Sequence, residues 1–116
     1  MQVIALTGNN LTGMLPKTIC DHLPDLEGLY LGRNSLDGVI PPNLEKCRKL
    51  QILELTENEI AGTVPRELAN LTTLTGLFLM DLHLEGSVNL LPFLFSAKII
   101  LIYFPKIDRR DTNGAR

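Results

Sequence analysis

The chain has 116 residues, enough for one ordinary domain and too few for a second of comparable size. It is 45% hydrophobic but only 5% aromatic and lacks tryptophan, so Leu, Ile and Val must supply the core, which suits stacked, similar layers. Eleven basic residues against thirteen acidic ones give a net charge of −2, with no basic patch or acidic tail to suggest a nucleic-acid partner.

The N-terminus, MQVIALTGNN, has neither a charged leader nor a long apolar run, so no signal peptide is visible. Met1 stands where later units carry a first leucine, as if the chain began inside an array. The best copy of the unit is Leu26 to Lys49, LEGLYLGRNSLDGVIPPNLEKCRK. Leucines at 26, 29 and 31 are followed by Asn34, Leu36, Gly38, Ile40-Pro41, Leu44 and Cys47. Leu50 begins the pattern again with Leu53, Leu55, Asn58, Ile60, Gly62, Val64-Pro65, Leu68 and Leu71. This is L-x-x-L-x-L-x-x-N-x-L with a G-x-[IV]-P extension, the leucine-rich-repeat signature. Aligned on the asparagine, the units place Asn9, Asn34, Asn58 and then Leu82 at steps of 25, 24 and 24 residues. Pro16, Pro41, Pro65 and Asn89 keep the same spacing, as do Gly13, Gly38, Gly62 and Gly86. The extra residue of the first unit falls near Cys20-Asp21-His22-Leu23.

Each consensus residue has a physical task. In Leu29-Tyr30-Leu31 the alternation is that of a strand with one buried face. Such strands stack about 4.8 Å apart into a parallel sheet. Asn34 follows where the chain turns away, and an amide there can satisfy backbone groups the turn leaves unpaired. Pro41 fixes its own φ and pushes Ile40 toward extended geometry. Leu44 and Cys47 close the layer from the outer side, on a short helix. In that leucine slot a free cysteine serves as a small buried hydrophobe. A Cys20–Cys47 disulfide in an oxidising compartment is the alternative, and spacing does not decide between them.

The 24-residue period, the G-x-[IV]-P extension and the asparagine column resemble plant-type leucine-rich repeats. Such repeats build the ectodomains of plant receptor-like kinases and receptor-like proteins, and the polygalacturonase-inhibiting proteins. The expected fold is an α/β repeat: a right-handed solenoid with a parallel β-sheet inside and short helices or 3-10 turns outside. The match covers residues 1–86, about three and a half units, followed by a non-repeat apolar and basic tail over 87–116. The resemblance implies an extracellular or secreted, non-catalytic scaffold whose inner face binds a peptide, protein or glycan.

In the fourth unit Leu82 replaces the asparagine, so its turn should be looser or shielded some other way. Beyond Gly86 the residue types show no repeat register. The stretch 88–104 is mostly apolar and precedes Lys106, Arg109 and Arg110, which raises a transmembrane reading. It is short of the ~20 residues a spanning helix needs, and Lys98 and Pro92 interrupt it. Folding back over the last layer is the plainer expectation, or the tail belongs to a misassembled or truncated gene.

Exposed strand positions of successive units align into columns on the inner face: Ala5, Tyr30, Glu54, Phe78, then Thr7, Gly32, Thr56, Met80, then Gly8, Arg33, Glu57, Asp81. Tyr30, Arg33, Glu54, Glu57, Phe78 and Asp81 are the candidate ligand-facing residues, because exposed aromatics among charges favour interfaces. Glu57 and Asp81 also form a carboxylate pair on neighbouring strands. Arg33 beyond Glu57 makes a surface charge ladder the simpler account, and no nucleophile–base constellation accompanies them. His22 and His83 stand without metal-ligand spacing and are expected to be solvated. No phosphate loop or kinase motif is present, so no cofactor or metal is expected. Two N-x-[ST] sequons place candidate glycans at Asn10 and Asn70. The leading reading is the recognition region of a plant receptor-like kinase, taking a peptide or protein ligand and a co-receptor. The alternatives are a secreted inhibitor of a microbial cell-wall hydrolase, and a truncated product with no function of its own.

Overall fold

The computed structural model describes residues 2–85 and 100–102. Coil one runs from β1 (Gln2–Ala5) through β2 (Thr12–Met14) to a single helical turn, α1 (Ile19–His22). Coil two runs from β3 (Leu26–Tyr30) through β4 (Ser35–Asp37) to a 3-10 turn over Pro42–Lys46. Coil three passes from β5 (Ile52–Glu54) through β6 (Ala61–Gly62) to a second 3-10 turn over Arg66–Asn70. Coil four contains β7 (Gly76–Phe78) and β8 (His83–Leu84), and β9 (Ile100–Ile102) follows.

The inner sheet is wholly parallel, in the order β1-β3-β5-β7-β9. Leu29, Leu53, Leu77 and Leu101 sit opposite one another, so the 24-residue step sets the strand register. On the flank, β2 pairs with β4 and β6 with β8, and a bridge between Val39 and Ala61 joins the two pairs. Short outer turns and an inner parallel sheet are the expected leucine-rich-repeat architecture.

The core is a stack of aliphatic layers. Leu29, Leu44, Leu50, Leu53, Leu55, Ile60, Leu68, Leu77 and Leu79 are fully inaccessible, which puts each consensus leucine of the central coils inside. Full burial of such a side chain contributes about 1.5–3 kcal/mol. Leu11, Ile19, Leu23 and Leu84 pack against this core from its margins.

The asparagines fasten one coil to the next. Asn34 Oδ1 accepts from the backbone N–H groups of Asn9 and Leu11, both at 2.9 Å in the preceding coil. Its Nδ2 donates back to Leu6 O at 3.0 Å and to Leu31 O at 2.9 Å. Asn58 repeats this, accepting from Leu36 N–H and donating to Leu31 O and Leu55 O, all at 3.0 Å. It is the buried polar residue of the described core.

Coil four takes the second of the two courses expected of it, shielding in place of a looser turn. Leu82 offers no amide, yet its turn is not loosened: Asp81 has φ 53°, beside 55° at Arg33 and 60° at Glu57. Leu82 is buried, and backbone bonds such as His83 N–H to Ile60 O at 2.8 Å hold the path. Apolar burial substitutes for the polar clamp.

Two further features correct the sequence reading. Cys47 is not a free hydrophobe: it is bonded to Cys20, the two Cα atoms lying 5.1 Å apart, within bridging range. The bond ties α1 of coil one to the 3-10 turn of coil two. Nor does the repeat register end at Gly86, because Ile100 to Ile102 pair with Gly76 to Phe78 one 24-residue step on. Those three residues form strand inside the stretch considered as a membrane helix, and the rest of 88–104 lies outside the described residues. Among the described residues no helix is long and apolar enough to cross a membrane.

Replacing Asn58 by Ala strands three backbone groups and should lower unfolding free energy by about 2–4 kcal/mol, whereas Asn9→Ala at the exposed end should cost under about 1 kcal/mol. Chemical denaturation of both variants checks the difference. Replacing both cysteines by Ala releases a 27-residue separation and should cost about 3–4 kcal/mol, read as a fall in denaturation midpoint against the oxidised parent.

Candidate ligand-binding face

Strand alternation sends Tyr30, Glu54 and Phe78 outward from the inner sheet, and the parallel register sets them directly side by side. Their surroundings separate them. Gly28 and Gly76, two residues earlier on the same face, leave room for the rings to lie back on the sheet. A Cβ built at Gly28 would stand 2.9 Å from Tyr30 Cε2, and one at Gly76 would stand 2.8 Å from Phe78 Cε2. The aromatics are therefore half-buried against bare backbone, not free in solvent. Ile52 fills the glycine position in the coil between them, its Cδ1 reaching toward Gly76.

Glu54 is taken up internally. Its carboxylate accepts from Thr7 Oγ1–H at 3.2 Å, Thr56 N–H at 3.2 Å and, more weakly, Gly32 N–H at 3.4 Å. It roofs Gly32 so closely that no Cβ could be added there without moving it. Sequence reasoning placed Glu54 among ligand-facing charges and Gly32 in a separate column. The structure makes them one internal clasp.

Arg33, Glu57 and Asp81 form the lip where the chain leaves the strand. Together with Gly8 they occupy left-handed backbone, Gly8 at φ 73°. That region costs a non-glycine residue about 1 kcal/mol, because Cβ crowds the following carbonyl. Arg33 Nε lies 3.6 Å from Glu57 Oε2, with the two side chains 72% and 51% exposed, so solvent screens the pair and its worth is about 0–1 kcal/mol. Asp81 is exposed and has no hydrogen-bond or ion-pair partner among the described residues.

A shallow hollow of about 260 Å³ brings together Arg33, Glu54, Glu57 and Phe78, floored by Thr56 and Met80. Tyr30 and Asp81 are outside it. A second hollow, about 270 Å³, is lined by Glu57, Asn58, Glu59 and Asp81. Met80 and Thr56 were visible as a column but not singled out, and their role comes from standing between the aromatic and charged columns. Among the described residues no cluster of three His, Cys, Asp or Glu side chains could hold a metal ion. His83 is not simply solvated, since Nε2 lies 2.5 Å from Glu59 Oε2 in the preceding coil, while His22 is exposed on the outer turn. A larger hollow of about 520 Å³ opens on the flank, over Met14, Pro16, Val39 and Pro41.

Both sequon asparagines are exposed. Asn10 is in left-handed backbone at φ 55°, and Asn70 ends the second 3-10 turn with Nδ2 3.2 Å from Glu45 Oε2.

The repeat geometry has a match among known families: the family model described as leucine rich repeat matches residues 1–60. The chain belongs to the leucine-rich-repeat family. Receptor-like protein 18 of Arabidopsis thaliana is 40% identical over 74 residues, covering 64% of this chain and 8% of that protein. The leucine-rich repeat-containing G-protein coupled receptor 5 of Rattus norvegicus is 39% identical over 77 residues, covering 64% and 8%. The chain thus spans under a tenth of the length of these curated relatives. Among solved structures, the Arabidopsis receptor kinase HAESA in complex with the peptide hormone IDA and the co-receptor SERK1 superposes with a TM-score of 0.82 at 30% identity. That match covers 88% of this chain and 17% of the receptor. The repeats are of the plant receptor-ectodomain type.

Substituting Gly76 by Ala should lift the Phe78 ring off the sheet, and Gly32→Ala should expel the Glu54 carboxylate from its clasp. Both should keep cooperative unfolding, with a loss of about 1–2 kcal/mol, and change the aromatic or Glu54 side-chain NMR shifts selectively.

Proposed function

We propose that this chain is a non-catalytic binding module, part of the extracellular recognition surface of a plant receptor-like kinase or receptor-like protein, and that its inner face takes a peptide. The observation that carries the reading is the hollow over Phe78 and Met80. It lies on a rigid parallel sheet, at the meeting point of aromatic and charged columns that the leucine-rich-repeat core does not need. Aromatic and Met surfaces that remain half-exposed beside charged groups are typical anchors at interfaces. A solved relative of similar fold is captured with a peptide hormone and a co-receptor, which supports the same partner classes here.

Tyr30, Arg33, Glu57, Phe78 and Asp81 carry the recognition in this reading, with Glu54 holding the floor in place. Nothing in the arrangement calls for nucleic acid, metal or cofactor. The disulfide supports passage through an oxidising, secretory compartment. Asn10 and Asn70 are the glycan sites of this reading, both away from the inner-sheet columns. In this reading 87–116 is the segment that follows the four coils and carries β9, and any contact with a membrane comes through 88–104 or through other parts of a parent protein.

Panning a random linear decapeptide phage library on the immobilised chain should enrich binders that lose at least tenfold in retention when Tyr30 and Phe78 are both replaced by Ala. An enriched set indifferent to that double variant, with its fold intact by circular dichroism, would sink the reading. Material expressed through a secretory pathway should run faster on gels after glycosidase treatment, and the shift should vanish in the variant carrying N10Q and N70Q.

A further inference from the structure

We infer that the lip of this face selects a basic side chain, arginine above all, from an extended peptide. The inference rests on the peptide-binding reading and adds the charge of the ligand to it.

Three observations carry it. The first is the cost of the lip. Arg33, Glu57 and Asp81 hold left-handed backbone at φ 55°, 60° and 53°, where coil one has Gly8. A glycine there would suit the fold better, so the charged side chains are not explained by folding.

The second is the charge balance. Glu54 is matched by its three donors, and Glu59 faces His83 at 2.5 Å in the next column. The lip itself sets two carboxylates, Glu57 and Asp81, against the single guanidinium of Arg33. Arg33 leans on Glu57 at 3.6 Å, which leaves Asp81 uncompensated among the described residues. Among the described residues, the lip has one carboxylate more than it has cations.

The third is shape. The hollow floored by Phe78, Met80 and Thr56 and the acidic hollow beside Asp81 share Glu57 in their linings, so they adjoin there. The first is apolar in its floor and the second offers carboxylate oxygens. An arginine side chain has the same sequence of parts: an apolar stem, then a planar cation. Its stem matches the Met80 and Thr56 side of the first hollow, and a guanidinium at the shared Glu57 edge meets the hollow that Glu57 and Asp81 line. Phe78 offers a ring face to the same cation or to a neighbouring apolar residue of the peptide. Lysine supplies the charge without the fork, and norleucine supplies the stem alone.

The test uses the full 116-residue chain and four synthetic decapeptide pools, randomised except for one central position fixed as Arg, Lys, norleucine or Glu. Retention should fall in that order, with the Arg pool held at least tenfold more than the norleucine pool and the Glu pool excluded. Raising salt from 50 to 500 mM should shrink the Arg advantage. Glu57→Gly and Asp81→Gly should each reduce Arg-pool retention at least threefold while leaving the melting temperature unchanged or higher. Glu57→Gln should give the same loss of retention. Equal retention of all four pools, abolished by replacing Tyr30 and Phe78 with Ala, would overturn the charge selection and leave peptide binding standing. No retention of any pool would overturn both. A melting temperature lowered by several degrees in both glycine variants would show that the lip charges serve the fold, and would overturn the inference as well.

Discussion

A single amide that reaches two coils at once is the interaction on which this structure depends. The inner strands end after a few residues, and the chain must then turn without leaving its backbone groups stranded. Asn34 and Asn58 each donate into the turn of their own coil and to the coil before it, and accept from that preceding coil. The amide therefore does more than close a turn. It ties each coil to its neighbour at the distance and register that the repeat length sets. Leu82 shows how far the arrangement tolerates a missing amide: one coil keeps the path by burying an alkyl side chain beside intact backbone bonds.

Fixed register is what turns scattered surface residues into columns. Once strands repeat at constant spacing, residues 24 positions apart meet, and side chains the core does not use become a surface with its own logic. On that surface the charged residues divide. Glu54 is consumed by hydrogen bonds over Gly32, while Glu57 and Asp81 stand at the lip with acceptors to spare. The aromatics divide from ordinary exposed rings too, since each leans on a glycine two residues back. A rigid floor, a locked carboxylate and a charged rim together make a preorganised surface, whose ordering cost is met during folding and not on binding.

Much of this was legible in the sequence, for a physical reason. Leu, Asn, Gly and Pro at fixed offsets each have a backbone task that few other residues perform, so their spacing reads directly as coil geometry. The columns followed by counting, and the Arg33–Glu57 contact was visible in them. The His83–Glu59 contact obeys the same 24-residue offset and could have been found by extending the columns one position. Other features were not encoded by spacing. Cys20 and Cys47 are bridged because α1 and the next outer turn lie one above the other, which a separation along the chain does not reveal. Gly28 and Gly76 were unremarkable until the rings were seen resting on them. Ile100–Ile102 has none of the Asn, Gly or Pro marks, since joining a parallel sheet asks only for extended backbone and the right distance along the chain.

The bond between Cys20 and Cys47 changes what the first coils do under load. A stacked solenoid drawn from one end comes apart in coil-sized steps, because each layer is held mainly by its neighbour. Here the outer turns of the first two layers are joined covalently. Tension applied at the N-terminal end passes through sulfur before it reaches the loop between them. The 27-residue separation spanned by the bond stays out of the extended length, withholding about 90 Å of reach. The two bridged coils therefore behave as one doubled layer, and yielding shifts to the unbridged coils beyond them.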